Sequence, residues 1–270
     1  APRERSQLTV ILLCAAAAVA VVWLLYTRAI PAITDVLAGY VPASWEEKLC
    51  LAVTEQLAPP EARCADGELN RALDEIASTL LAAEGEVPYT FHITVADRAE
   101  VNAFAGPGGY IVILRGLLKK TETPEELAGI LAHEMQHILQ RHPTRAVLRE
   151  MSTSSLIAVL SGNAEVAKDL LQAAGMLGEL RYTRRDEAAA DRAGMRMLQA
   201  AQINPQGLIE FLGKMDGGNS FQYFSTHPNT DERIRELRTL AAEAPYSQRE
   251  LLPGYRWAEV RNRCEPNAGR

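Results

Sequence analysis

Residues 123–137 read TPEELAGILAHEMQH, and they set how the rest of the chain is read. Thr123 is a helix-capping residue, Pro124 suits the first helical position, and Glu126 completes a capping box, so a helix opens here. His133 and His137, four apart, lie only about 40° apart around that helix and present their rings on one side. Two neutral imidazoles at this spacing can grip one zinc ion, with Glu134 placed to act on water as a general base rather than as a ligand. A catalytic zinc takes a third protein ligand. The extension HExxHxxGxxH does not supply it, because Gln140 and Pro143 stand at its glycine and final histidine positions. His142, nine residues past His133, falls about 180° away on the same helix and reads as a structural residue near the helix end.

The missing ligand is sought in residues 185–191, RDEAAAD, on a second predicted helix from Arg184 to Ala201. Glu187 and Asp191 are four apart, and the alanines between them allow the two helices to approach closely. Glu187 can then complete a two-histidine, one-glutamate site, with Asp191 accepting from the other ring nitrogen of a ligand histidine. The competing reading is a solvated salt-bridging face with Arg184, Arg185 and Arg192. The HExxH sequence decides for the metal. Between the two helices, residues 145–180 are helical in character with apolar clusters, and Met151 to Leu180 is expected to form a lid or substrate-contacting wall.

Upstream, Gly67 to Ala83 carries Leu69, Leu73, Ile76 and Leu80 at helical spacing, and Ser44 to Leu57 is amphipathic. Tyr89, Phe91, Ile93 and Val95 alternate with polar residues as in a half-buried strand, which puts His92 on the polar face. Asn102 to Ala105 and Tyr110 to Leu114 read as two strands joined by the turn Gly106-Pro107-Gly108-Gly109, giving a small antiparallel sheet. The turn lacks the lysine and hydroxyl residue of a phosphate-binding loop. Downstream, helices are predicted over Pro205 to Met215 and Thr230 to Glu243.

The first organised feature is Leu8 to Tyr26, nineteen residues without a charge. As a helix it is roughly 28 Å long, which matches one bilayer span. A cleaved signal peptide is the rival, but its apolar region is typically about 7 to 15 residues. Arg3 and Arg5 before the span favour a cytoplasmic amino terminus, leaving the rest outside. Ile30 to Pro42 reads as a short connector. The net charge of −6 argues against nucleic acid as a partner. Of four cysteines, Cys14 lies in the span and Cys50 reads as a small buried residue. A bridge from Cys64 to Cys264 is preferred over reduced thiols, and it would require an oxidising compartment.

Several ordered motifs together resemble the M48 family of metallopeptidases: Asn102-Ala103-Phe104-Ala105 with Gly108-Gly109, Gly116-Leu117-Leu118, HEMQH, Glu187 with Asp191, and Ser225-Thr226-His227-Pro228 with Arg233. The resemblance runs from about Glu61 to Leu240. It implies an α+β, mainly helical fold of the gluzincin (zincin-like) type with one Zn2+ per chain, held by His133, His137 and Glu187. It further implies endopeptidase activity on membrane-associated or misfolded proteins, with Asn102, Ala103, Phe104 and Ala105 as an edge strand that aligns substrate backbone. Under it, His227 sits beside the metal, either donating to the oxyanion or coordinating the open position, and Arg233 positions that loop or the oxyanion. The catalytic residues are then Glu134 and His227. The implied organisation is a cytoplasmic stub (1–7), an anchor in the lipid bilayer (8–26), a connector and amphipathic helix (27–60), the peptidase domain (61–243) and a tail (244–270). The implied place is the bacterial inner membrane facing the periplasm, or the mitochondrial inner membrane facing the intermembrane space, with protein substrates and membrane-protein complex partners. A zinc-containing chaperone or assembly scaffold is the rival from another class, and the intact Glu134 counts against it.

Overall fold

The computed structural model describes residues 2–150, 182–215, 223, 226–227, 231–243 and 250–264. The expected lid, Met151 to Leu180, lies outside them. Elements are numbered among the described residues.

Helix α1 (Pro2–Leu24) passes through a π turn at Leu25–Ala29 into α2 (Ile30–Ala38). Every described side chain from Val10 to Leu25 is exposed, and Val10–Ala38 is long and apolar enough to cross a membrane. The connector expected over residues 30–42 is thus corrected: most of it is helix. Its proline at 31 stands two residues past the π turn, within the first two positions of α2. Helix α3 (Ala43–Leu57) follows, then α4 (Gly67–Glu84), whose start is fixed by Asp66 accepting from the N–H groups of Glu68 and Leu69 at 3.0 and 2.9 Å.

The sheet has strands β1 (His92–Ala96), β2 (Ala103–Gly106) and β3 (Tyr110–Leu114) in the order β1-β3-β2. The β2–β3 pair is the expected antiparallel hairpin, but β1 runs parallel to β3, so the sheet is mixed rather than antiparallel. The tight turn commits one edge of β3 to β2, and β1 takes the other. The turn needs its glycines: Gly109 has φ +101°, and a Cβ there would sit 2.2 Å from the Thr90 carbonyl oxygen. His92 is exposed and stacks on Tyr110.

Helix α5 (Arg115–Lys120) leads to α6 (Pro124–Leu139), nearly all of it buried. Thr123 Oγ1 accepts from the Glu126 N–H at 3.3 Å, as expected. The reciprocal half of the box shifts by one residue: Glu126 Oε2 accepts from the N–H of Glu122, and both its oxygens meet Lys214 Nζ at 2.6 and 2.7 Å. Helix α7 (His142–Glu150) follows a turn at Arg141, whose φ is +56°. Onto α6 pack α8 (Arg184–Ala200) and α9 (Gln206–Met215), and α10 (Asp231–Glu243) packs on those two; together they supply Met195, Leu198, Leu208, Phe211 and Leu237 to one core. Gly129 permits this approach, since a Cβ there would lie 2.7 Å from that of Leu208. A short helix α11 (Trp257–Val260) precedes Cys264, which is disulfide-bonded to Cys64 with the Cα atoms 5.3 Å apart.

Candidate active site

Helix α6 carries His133, Glu134 and His137 into the interior, and all three side chains are fully buried. Helix α8 is aimed at them by a complete capping box, in which Thr183 Oγ1 accepts from the Asp186 N–H and Asp186 Oδ2 accepts from the Thr183 N–H, each at 3.1 Å. That cap sets the first turn so that Glu187 and Asp191 both face α6.

Four donor groups converge: His133, His137, Glu187 and His227, with one ligand atom from each lying within 4.8 Å of the others. His133 Nε2 is 3.0 Å from His137 Nε2 and 3.6 Å from Glu187 Oε2, and His137 Nε2 is 3.4 Å from Glu187 Oε1. His227 Nδ1 stands 3.1 Å from Glu187 Oε1 and 3.3 Å from His133 Nε2. A tetrahedral zinc with bonds of about 2.0–2.1 Å has ligand atoms about 3.3 Å apart, so the separations of 3.0, 3.4 and 3.6 Å among His133, His137 and Glu187 fit that ion. The two oxygens of Glu134 are buried and accept no hydrogen bond among the described residues, and Oε1 is 3.5 Å from His227 Nε2.

The acids behind the ligands are held by one guanidinium. Arg233, on α10, donates to Asp191 through Nε (2.6 Å) and Nη2 (2.8 Å), and its Nη1 is 2.7 Å from Glu187 Oε2. Asp191 Oδ1 is in turn 3.0 Å from His133 Nδ1. Burial by itself would raise the Asp191 carboxyl, but the bonds from Arg233 and His133 outweigh it and hold the group below its usual range. Burial opposes ionisation of Glu187 as well, yet His227 and His137 keep it well below the ordinary value. Burial and the neighbouring His133 push His137 well down, which favours the neutral ring a metal requires.

A scan against family models matches residues 65–241 to peptidase family M48. The chain belongs to that family. Among curated relatives, this M48 chain is 28% identical over 192 residues to the beta-barrel assembly-enhancing protease of Escherichia coli (strain K12), covering 65% of the chain and 39% of that protein. It is 25% identical over 180 residues to the mitochondrial metalloendopeptidase OMA1 of Schizosaccharomyces pombe, 64% of the chain and 53% of that protein. Against metalloprotease LoiP of Escherichia coli (strain K12) it is 28% identical over 182 residues, 64% of the chain and 71% of that protein. The chain spans about two fifths of the length of the beta-barrel assembly-enhancing proteases it matches.

The structure thus gathers His133, Glu134, His137, Glu187, Asp191, His227 and Arg233 around one point of the M48 domain. Asn102 to Ala105 flank it, since β2 is an edge of the sheet and Ala105 O accepts from Tyr182 Oη at 3.2 Å. Cys64 and Cys264 take no part. Ser225 and Pro228 of the STHP sequence lie outside the described residues. Two participants escaped sequence reasoning. His142 Nδ1 is 2.9 Å from His137 Nδ1, and His142 Nε2 is 3.6 Å from Asp186 Oδ1, so His142 supports a ligand rather than only closing a helix. The helical arithmetic that placed it on the opposite face fails because the left-handed Arg141 ends α6 and turns the chain back. With His137 Nε2 directed at a metal, its Nδ1–H donates to His142 Nδ1, and the His142 Nε2–H then points at Asp186. Tyr182 stacks on His137 with centroids 4.0 Å apart. Its position just before the α8 cap was the available signal.

Proposed function

We propose that the chain is a membrane-anchored zinc endopeptidase that hydrolyses peptide bonds of membrane-associated or misfolded proteins, with His133, His137 and Glu187 as ligands and Glu134 as general base. The observation that carries this reading is the Glu134 carboxylate, buried beside the donor set with neither oxygen accepting a hydrogen bond among the described residues. A purely structural zinc site has no use for such a group, whose burial must be compensated. Zinc, when bound, supplies a Lewis acid that lowers the pKa of water to about 7 and polarises the scissile carbonyl. Glu134 takes the proton of the attacking water and returns it to the leaving amine. Asp191 and His142 hold the ligand rings in the tautomers that present Nε2, and Arg233 keeps Glu187 and Asp191 ionised.

His227 has two consequences for this chemistry. Its Nδ1 lies among the donor atoms, so toward a bound ion it would serve as a fourth ligand and leave the enzyme latent. Withdrawn from that position, the same ring is placed to donate to the oxyanion of the tetrahedral state. The apolar helix Val10–Ala38, exposed throughout Val10 to Leu25, and the disulfide both favour a bilayer anchor with the peptidase domain on an oxidising side, which in a bacterium is the periplasm. Relatives named for assembly of beta-barrel proteins make membrane-protein complexes the natural partners.

The test is cleavage of unfolded casein by the zinc-loaded protein and by Glu134→Gln, with bound zinc measured in both. Cleavage in the first, and a loss of about 10²- to 10⁴-fold in the second at unchanged zinc, is expected. Equal cleavage by the two proteins would remove Glu134 from its role. Absence of cleavage in both at full zinc, persisting in His227→Ala, would favour the chaperone or scaffold reading.

A further inference from the structure

The outer edge of β2 is occupied by side chains of the same molecule. Asn102 O accepts from the Leu114 N–H, so positions 102, 104 and 106 bond to β3, and the backbone groups of Ala103 and Ala105 point away from it. On that side Asn102 Oδ1 accepts from the Ala103 N–H at 2.9 Å, and Tyr182 Oη donates to Ala105 O at 3.2 Å. Both side chains lead back to one residue beside the metal site. The Tyr182 N–H donates to Thr226 O at 3.4 Å, and the Thr226 hydroxyl is shared between Tyr223 O at 3.1 Å and Asn102 Oδ1 at 3.4 Å. Thr226 precedes His227, whose ring centroid is 5.3 Å from that of Tyr182.

We propose that Tyr182, with Asn102 and Thr226, is a latch that occupies the substrate-pairing edge of β2 and couples its release to withdrawal of His227 from the metal position. An incoming extended chain can pair with Ala103 and Ala105 only by displacing the Tyr182 hydroxyl and the Asn102 carboxamide. The Asn102 carboxamide is bonded to Thr226 Oγ1, and the residue that carries the displaced hydroxyl is bonded to Thr226 O through its backbone N–H, so shifting the two loosens the hold on Thr226 and with it His227. The stack of Tyr182 on His137 fixes the hydroxyl over the edge until that exchange occurs. Tyr182 is therefore a positioning residue: it sets what substrate must replace and takes no part in the bond cleavage. The latch rests on the peptidase reading only in assuming that β2 receives an extended chain.

The test separates the two by measuring binding rather than turnover. In the zinc-loaded Glu134→Gln protein, the affinity of a fluorescein-labelled β-casein peptide is measured with and without Tyr182→Phe. Removing a hydroxyl that competes for Ala105 O is expected to tighten binding by about 2- to 12-fold, the span of a neutral hydrogen bond, at unchanged zinc content and melting temperature. His227→Ala should also tighten it, and the Tyr182→Phe effect should shrink in the double variant, because both act on one closed state. Thr226→Val provides an independent weakening of the latch should Tyr182→Phe fold poorly. Equal affinities across the series, or no peptide binding in any member, would overturn the latch. Tightened binding in a protein that never cleaves would sustain it and sink the peptidase reading instead.

Discussion

Arg233 makes it possible to bury Glu187 and Asp191 one turn apart on the same helix, because it bonds both and each is nearly inaccessible to water. Deleting it leaves Asp191 buried without its paired cation, a change that typically costs about 3–5 kcal/mol. Arg233→Ala is therefore expected to lower the unfolding free energy of the zinc-loaded protein by about that amount in a urea titration. Arg233→Lys should recover only part of it, since an ammonium cannot form the paired bonds to Asp191. A loss under about 1 kcal/mol would show that solvent reaches the acids. The Cys50 thiol gives a second test at this scale. Burial pushes it up to about 12, against which its bond with Thr54 acts only weakly. A raised thiol pKa leaves little thiolate near neutrality, so mapping by mass spectrometry should find Cys50 unalkylated by iodoacetamide at pH 8 and labelled once the chain is unfolded. Labelling in the folded protein at the rate of an ordinary thiol would contradict its placement. The ligands His133 and His137 were legible because their spacing acts within one helix, and Glu187 with Asp191 for the same reason. His142 and Tyr182 were not, because each depends on where separate segments meet, and His227 was reached only through the family resemblance.

At the scale of elements, the helix starts written in local chemistry were readable: Thr123 and Pro124 opened α6 where the structure has it. What local chemistry does not encode is pairing across the fold. Strand β1 alternates as expected, yet nothing in its own residues says that it lies parallel to β3. Nor does Pro31 reveal whether it breaks a helix or begins one. The hairpin turn is the element most exposed to a single change. A Cβ at Gly109 would meet the Thr90 carbonyl oxygen at 2.2 Å in a backbone conformation that side chains avoid, so Gly109→Ala must move either the turn or β1. The expected cost is about 1–3 kcal/mol, read as a lower melting temperature. A fall in casein cleavage at unchanged zinc content should accompany it, because the turn sets the edge of β2 without touching a ligand. Full stability with lost zinc would instead mean that the hairpin positions the metal site directly.

For the whole molecule, two ties join segments that are distant in the chain, and they should fail independently. The metal site joins α6 to α8 and to His227, so removing zinc by chelation should lower the melting temperature and loosen α8, with both restored by added zinc. The disulfide joins the segment before α4 to the end of α11, closing 200 residues, for which the chain-entropy account gives about 5 kcal/mol. That figure is an upper bound, because an unfolded chain keeps residual structure that already restricts it. The tail also has other holds. The Trp257 indole N–H donates to Thr121 O at 3.4 Å, the guanidinium of Arg261 bonds the same carbonyl, and Arg263 meets Asp66 and Glu68. These contacts keep the tail in place in the folded state but do nothing to restrict the unfolded chain, and that restriction is where a cross-link acts. The double variant Cys64→Ser, Cys264→Ser is accordingly expected to lower the urea midpoint by an amount equivalent to about 2–5 kcal/mol, while zinc content and the Tyr182→Phe effect on peptide binding stay as they are. A variant that lost zinc at 25 °C while remaining folded would show instead that the tail reaches the metal site through the core, and the two ties would then be one.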